Sequence, residues 1–225
     1  MIIPQCAICP GKYCSRGIKD LQVVPAFCPM RNHADIIEEA VKKYEYEEAR
    51  KLYPVSCMTE RDAYSWQEAR EGKAQLKPVR TRIREVAEFC KALGAKRIGV
   101  AFCIGLADEA SRAAEILEGN GLEVCSVVCK CGAIDKVVLG APKEYKIGSP
   151  EKPEVGCNPV TQADLLNAAK TSFNVIIGLC VGHDMLFTRF SQAPVTTLIV
   201  KDRFTGHNPV ISLYTRYHRS LLVPS

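Results

Sequence analysis

The run Arg97-Ile98-Gly99-Val100-Ala101-Phe102-Cys103 decides the fold. It is short and apolar, Gly105 follows it, and residues Leu106 to Leu117 then carry apolar positions at helical spacing up to Gly119-Asn120-Gly121. An apolar run of strand length leading directly into an amphipathic helix predicts one strand-helix unit. The pattern repeats downstream. Leu122-Glu123-Val124-Cys125-Ser126-Val127-Val128-Cys129 predicts a second strand, which Lys130-Cys131-Gly132 turns away from its end. Asn158 and Pro159 fit the cap and first position of a helix, Asn174 to Cys180 reads as a third strand, and Gly182 to Phe190 as a short helix. Val195 to Val200 completes the set as a fourth strand. Strand and helix alternate from residue 97 to residue 200, and right-handed crossovers make such a sheet parallel. The expected class is therefore doubly wound α/β, with a mainly parallel sheet of about four strands.

Working outward toward the amino terminus, the pattern loosens. Pro78 fits a first helical position, and Ile83, Val86, Ala87, Cys90 and Leu93 form an apolar stripe stopped by Gly94. A helix is expected from Glu60 to Arg70, ending at Gly72, and another from Asp35 to about Leu52, where Tyr53-Pro54 follows. Residues 1 to about 32 are punctuated by cysteine and proline with little periodicity, which suits a loop structure held by metal. The expected organisation is a cysteine-rich metal-binding segment plus helices over 1–75, and an α/β domain over 76–225 with cysteines at its strand ends. Residues 139 to about 158, rich in Gly, Pro and Lys, form a connection long enough to be functional or mobile.

The composition is that of an ordinary globular chain, 47% apolar and 24% charged, except for its twelve cysteines. No run approaches the roughly 18 apolar residues that span a bilayer, and Met1-Ile2-Ile3-Pro4-Gln5-Cys6 has no basic segment followed by an apolar one. The expectation is a soluble cytoplasmic protein without a membrane partner, whose cysteines remain thiols available for metal or catalysis. The net charge of +5 is spread through helices, so nothing points to nucleic acid. No dinucleotide-binding glycine pattern, phosphate loop or serine nucleophile elbow is present, which disfavours nucleotide cofactors and serine hydrolase chemistry.

The cysteines fall into groups. Cys6-x2-Cys9-x4-Cys14 followed by Cys28-Pro29 supplies four thiolates, enough for zinc or for an iron–sulfur cluster. Cys103 and Cys180 are each expected as the last residue of a strand before a glycine-containing turn, and Cys129 and Cys131 end the second strand. Ligands of open parallel sheets bind outside the carboxyl ends of the strands, so these cysteines should share one crevice. Cys157 arrives there at a helix start, where the helix dipole favours a thiolate. Three such thiolates would hold a cubane cluster with one iron open, and a fourth would close it. Cys131, in the turn, is slightly preferred over Cys129 as the ligand. Cys90 and Cys125 read as core, and Cys57, expected in a helix connection, is left open as a supplement to the amino-terminal metal.

His183 and Asp184 open the helix after Cys180, where His183 could donate a proton and Asp184 could cap the helix. Lys201-Asp202-Arg203 and Thr205-Gly206-His207-Asn208-Pro209 follow the fourth strand, either as an anion-facing set or as a polar turn. Asp108, Asp135 and Lys136 also follow strand ends, with weaker signals.

On Cys6-x2-Cys9-x4-Cys14, Phe27-Cys28-Pro29-Met30-Arg31-Asn32, Cys129-Lys130-Cys131-Gly132, Gly178-Leu179-Cys180-Val181-Gly182-His183-Asp184 and Val200-Lys201-Asp202-Arg203-Phe204-Thr205-Gly206-His207-Asn208-Pro209, the chain resembles an uncharacterised family of cysteine-rich, predicted metal-binding proteins. The resemblance spans essentially the whole chain and implies metal binding without naming a substrate. By architecture alone, the chain also looks distantly like enzymes that set a three-cysteine cluster at strand ends for dehydration or desulfuration.

The functional expectation is a metal-binding protein, with enzymatic action on a small molecule left open, and with a 4Fe-4S cluster among Cys103, Cys129, Cys131, Cys157 and Cys180. His183 or Lys201 would assist in a redox or Lewis-acid role. Cys6, Cys9, Cys14 and Cys28 would hold zinc or a second cluster. Oxygen-sensitive clusters would imply an anaerobic or strongly reducing setting, with an electron-transfer protein or a small molecule as partner. The alternatives are a noncatalytic zinc-stabilised metal-handling or sensing protein, and a metal-free thiol-redox enzyme using Cys129 and Cys131.

Overall fold

The structure is a computed structural model that describes residues 2–68 and 74–222. Its contacts divide the chain into two units, Met1–Met58 and Thr59–Ser225. In the first, short 3-10 turns at Cys6–Ile8 and Tyr13–Arg16 precede α1 (Pro29–Asn32) and α2 (Ala34–Lys42). Helix α3 (Glu47–Asp62) begins in this unit and passes through Pro54.

The helices differ here from what the sequence predicts. A single helix to Leu52 is instead two, interrupted by extended backbone at Tyr46. The expected stop at Pro54 fails because proline's fixed φ is itself helical. The missing N–H costs one hydrogen bond, about 3 kcal/mol, which a long helix can absorb. The helix expected over 60–70 is replaced by the end of α3 and an antiparallel hairpin, β1 (Tyr64–Glu68) and β2 (Ala74–Pro78). Part of that expectation, residues 69–73, lies outside the described residues. Trp66 pairs with Leu76 across the hairpin, a tertiary pairing that helix periodicity does not detect. Pro78 ends β2, a strand terminus where its missing N–H is tolerated, and the next helix starts later, at α4 (Arg82–Ala92).

The larger unit then follows the alternation. In order come β3 (Arg97–Phe102), α5 (Ala107–Gly119), β4 (Glu123–Val128), α6 (Pro159–Ala168), β5 (Phe173–Ile177), α7 (His183–Phe190) and β6 (Val195–Ile199). Two short helices, α8 (Val210–Tyr214) and α9 (Arg216–Leu222), follow. The four strands β3 to β6 form a parallel sheet in the order β4-β3-β5-β6, so the doubly wound α/β expectation holds. The step from β3 to β4 runs one way and the return to β5 runs the other, so right-handed crossovers place α5 and α6 on opposite faces. Helix α4 packs with α5, and α6 with α7.

The central strands are buried on both sides: Ile98, Val100 and Ala101 of β3 and Asn174, Val175 and Ile177 of β5 are fully covered. Leu106, Leu117, Leu166 and Phe187 close the two helical layers. Asn174 is a polar member of this core and is satisfied: Thr171 Oγ1 donates to its Oδ1 at 2.8 Å, and its Nδ2 donates to Ser191 Oγ at 2.8 Å. Its ladder partner is Gly99, where a Cβ would stand 2.0 Å from that same Oδ1. The glycine in the deciding run is thus required by packing rather than by backbone conformation. Among the described residues, no helix is long and apolar enough to cross a membrane.

Candidate metal centre

Strands β3 and β5 are neighbours, but the chain leaves them in opposite directions, β3 toward β4 and β5 toward β6. Their carboxyl ends therefore flank the topological switch point, where open α/β sheets form a crevice. Cys103 lies directly beyond β3, its N–H bonded to Ile177 O of β5 at 3.1 Å. Cys180 is not its equivalent, because β5 ends at Ile177 and two residues, Gly178 and Leu179, intervene. Gly178 makes the turn between them with φ +66°, and a Cβ there would meet Leu106 at 2.7 Å, so only glycine lets the chain turn toward the crevice.

Cys129 joins from the other side, its N–H donating to Phe102 O at 2.8 Å. Its own carbonyl accepts from Asn158 N–H at 2.7 Å, which delivers Cys157 to the same place. Asn158 also caps α6 by accepting from Thr161 N–H at 3.2 Å.

The result is a row of interacting side chains. The Cys103 sulfur adjoins Cys129, Cys129 adjoins Cys157, and Cys157 adjoins the His183 imidazole. Ile104 N–H donates to Cys129 Sγ at 3.4 Å, and Gly105 N–H to Cys103. Lys201 Nζ donates to Cys103 Sγ at 2.7 Å, and Arg203 Nη2 to Cys180 Sγ at 3.0 Å. Cys131 lies off this row, its thiol directed at Asn158 O at 3.9 Å. The two cysteines at the end of β4 therefore separate: Cys129 still follows the ladder and points inward, whereas Cys131 is past the turn.

Electrostatics divide the row unevenly. Hydrogen bonds from the Cys129 thiol and the His183 imidazole hold Cys157 far below the usual thiol range despite burial, and the Lys130 ammonium adds to this. Cys129 is pushed far up by sharing that hydrogen bond with Cys157, by burial and by the charges beside it. Burial pushes Cys103 up, but Lys201, Gly105 N–H and the Cys129 contact outweigh it, and the net direction is down. Burial raises Cys131. Cys90, 2% exposed on α4, is pushed up to about 11 by burial, and Cys125 packs against the core.

The remaining polar residues of the sheet end stabilise turns. Asp184 Oδ1 accepts from Gly182 N–H at 2.9 Å and from Met185 N–H at 2.8 Å. Asp202 accepts from Phe204 and Thr205, and its N–H donates to His207 Nδ1 at 3.1 Å. Asp135 organises the long connection. Its oxygens accept from Val137 N–H at 2.9 Å and Glu154 N–H at 2.6 Å, and Lys146 pairs with it at 3.1 Å. A bridge to Val155, the Lys136–Glu154 ion pair and a bond from Lys130 Nζ to Val155 O complete the tie. This connection is built to return Cys157 to Cys129.

Backbone N–H bonds to Val137 and Glu154 hold the Asp135 carboxyl at about 2, below its ordinary 3.8. A carboxylate with a depressed folded value contributes above its unfolded value and loses that contribution as pH falls. Hydrogen exchange of the Val137 and Glu154 amides is expected to be constant from pH 8 to about 5, after correction for intrinsic rates. Protection should fall between about 4 and 2, and Asp135→Asn should remove this step.

In the amino-terminal unit, the Cys9 sulfur accepts from the N–H groups of Gly11, Lys12 and Tyr13. They outweigh the upward push of burial and lower its pKa, and the Lys12 ammonium assists. Lys12 adopts φ +43°, which curls these N–H groups into an anion-binding nest. Its Nζ donates to the carbonyls of Cys6 at 2.6 Å and of Ala7 and Cys9 at 3.0 Å, tying the loop. Cys28 precedes α1, Cys6 and Cys14 are exposed, and Cys57 is exposed on α3. Among the described residues, no three histidine, cysteine, aspartate or glutamate side chains converge as a single metal ion would require.

The peptide donors Ile104 and Gly105 and the cation Lys130 are contributors that sequence reasoning did not single out. Gly105 was legible as a turn residue, but its N–H becomes a sulfur donor only through the turn beyond β3. Lys130 approaches Cys157 only because the long connection closes.

Two comparisons bear on this chain. Residues 28–198 match the model of a protein family of unknown function, DUF1847. Over 219 residues the chain is 40% identical to Uncharacterized protein MJ0455 of Methanocaldococcus jannaschii, covering 97% of this chain and 98% of that protein. The matched family region contains Cys28 and all the cysteines of the crevice, and the chain belongs to the DUF1847 family.

Proposed function

We propose that this chain is a metal-binding protein with an iron–sulfur centre in the crevice, serving a redox or Lewis-acid role. The observation that carries the reading is the row Cys103–Cys129–Cys157, with Cys180 nearby in chain order beyond β5 and with N–H, ammonium and guanidinium donors on the sulfurs. Such donors stabilise thiolates, the form in which cysteine ligates metal, at Cys103 and Cys157, whereas Cys129 is held as the thiol beside them. Cysteines delivered from the ends of β3 and β4 and from the start of α6 are of the kind that ligate such a centre.

Cys103, Cys129, Cys157 and Cys180 are the residues that would hold the centre, and Cys131 stands one turn away. When bound, it would supply an electron or a Lewis-acidic iron to a small molecule or an electron-transfer partner. The chain's own residues do the rest. Leu106 and Leu179, on the turns beyond β3 and β5, are buried and supply apolar surroundings there. His183, beside Cys157, can hold or move a proton there, and Lys201 supplies positive charge at Cys103.

Cys6, Cys9, Cys14 and Cys28 would hold a second metal, zinc or another cluster, only after drawing together, and the nest around Cys9 supports its thiolate form. A reducing cytoplasmic setting would keep the twelve cysteines as thiols.

Anaerobic purification followed by visible absorbance and iron and sulfide analysis tests the reading. Brown protein with iron and sulfide in matching amounts is expected. Colourless protein carrying zinc alone would instead indicate a zinc-stabilised metal-handling protein and end the iron–sulfur reading.

A further inference from the structure

The end of β4 and the end of the long connection bring two sulfurs side by side. Cys129 adjoins Cys157, and both are free thiols. The backbone fixes them there: Cys129 N–H donates to Phe102 O at 2.8 Å, and Cys129 O accepts from Asn158 N–H at 2.7 Å. Hydrogen-bonded backbone segments run about 4.8 Å apart, inside the roughly 4.4–6.8 Å between Cα atoms that a disulfide spans. The two sulfurs differ in access. Cys129 is 1% exposed, whereas Cys157 is half-buried, with the half-buried His183 imidazole hydrogen-bonded to its sulfur. Cys103 also adjoins Cys129, but it is buried and takes Lys201 Nζ at 2.7 Å. Cys131, the sequence neighbour expected to pair with Cys129, directs its thiol at Asn158 O at 3.9 Å instead. A molecule arriving from solvent therefore meets Cys157 first, and the sulfur behind it is Cys129.

We propose that Cys157 and Cys129 form an exchangeable dithiol that reduces small-molecule disulfides, with Cys157 attacking and Cys129 resolving. The inference is independent of the iron–sulfur reading, because two adjacent sulfurs suffice and no metal takes part. The Cys157 thiolate attacks one sulfur of the small molecule, whose S–S bond breaks as a mixed disulfide forms and the first thiolate leaves. The proton of the Cys129 thiol passes to that leaving thiolate, with His183 beside Cys157 as its carrier. Ile104 N–H, 3.4 Å from Cys129 Sγ, stabilises the Cys129 thiolate so produced. This thiolate attacks the Cys157 sulfur, the mixed disulfide breaks, and the second thiolate leaves. The small molecule gains two electrons and ends as a thiol and a thiolate. Cys129 and Cys157 lose the same two electrons and end as one internal disulfide.

The test exposes the full chain, purified anaerobically and treated with a chelator, to excess oxidised glutathione. Remaining thiols are blocked at timed intervals, and every cysteine is mapped by mass spectrometry. Iron in the untreated protein is measured separately and bears on the iron–sulfur reading alone. Wild type should form the Cys129–Cys157 disulfide and release both halves of the oxidised glutathione as free thiol. Cys129→Ser should stop at a glutathione adduct on Cys157, and Cys157→Ser should release glutathione more slowly by roughly tenfold or more. His183→Asn should form the pair about tenfold more slowly, the scale of one lost hydrogen bond to a charged group. Wild-type Cys129 bonded to Cys131 or Cys103 would overturn the proposal, as would Cys129 and Cys157 both remaining free thiols. An adduct on Cys129 ahead of Cys157 would overturn the order of attack, and a wild-type rate in His183→Asn the proton role. If a serine variant fails to fold, the wild-type map decides by itself.

Discussion

If the crevice holds the proposed iron–sulfur centre, serine in place of Cys103, Cys129 or Cys157 is expected to remove crevice iron without removing metal proposed for the amino-terminal segment. The hydroxyl is far less acidic than a thiol and is a poor ligand for iron that prefers soft sulfur. Each substitution also breaks the row at a different point. Cys129 is the sharpest case because its sulfur adjoins both neighbours, and Ile104 N–H is directed at it. Cys131→Ser serves as the contrast, since that thiol is directed at Asn158 O and lies off the row. Anaerobic metal analysis of the four variants reads the result directly. Retention of full iron by all three row variants would dismiss the crevice as the site. Loss in Cys131→Ser alone would move the centre to the turn beyond β4.

Gly99→Ala should destabilise the fold by about 3 kcal/mol, the combined scale of overpacking a core and of straining a buried hydrogen-bonded amide. The added methyl would meet Asn174 Oδ1 at 2.0 Å and Leu166 Cδ1 at 2.7 Å. Asn174 cannot swing aside without giving up Thr171 or Ser191, to which it is bonded in a fully covered position. A urea titration should show a lowered midpoint with an unchanged slope. Gly119→Ala is the matched control, because nothing lies within 4 Å of its Cβ position at the end of α5. It should be neutral or raise stability by about 0.5 kcal/mol through the unfolded chain. An equal loss in both variants would mean that Gly99 is not held by this contact.

The α/β part of the chain was readable because each of its elements carries its own signal. Ile98 to Phe102 is apolar throughout because it is covered on both faces, and Asn158-Pro159 announces α6 by capping chemistry that operates within a few residues. The hairpin was missed because Tyr64 to Glu68 is stabilised by pairing with Ala74 to Pro78, and that pairing is not encoded in the periodicity of either segment. Pro54 was overvalued as a stop because a proline's cost is weighed against the whole helix that contains it.

The same division runs through the candidate site. Sequence alone determined that thiols would gather at the carboxyl ends of parallel strands, since strand periodicity and right-handed crossovers bring Cys103, Cys129 and Cys157 to one edge whatever the side-chain details. Only the tertiary structure decided which thiols touch. Cys129 rather than Cys131 joins the row because the ladder bond to Phe102 aims it inward, and Cys157 meets it because Asp135 and Glu154 fold the long connection back. Lys201 and Arg203 acquire a role by the same route, since distances near 3 Å between residues some twenty to a hundred positions apart are set by packing and cannot be read from spacing.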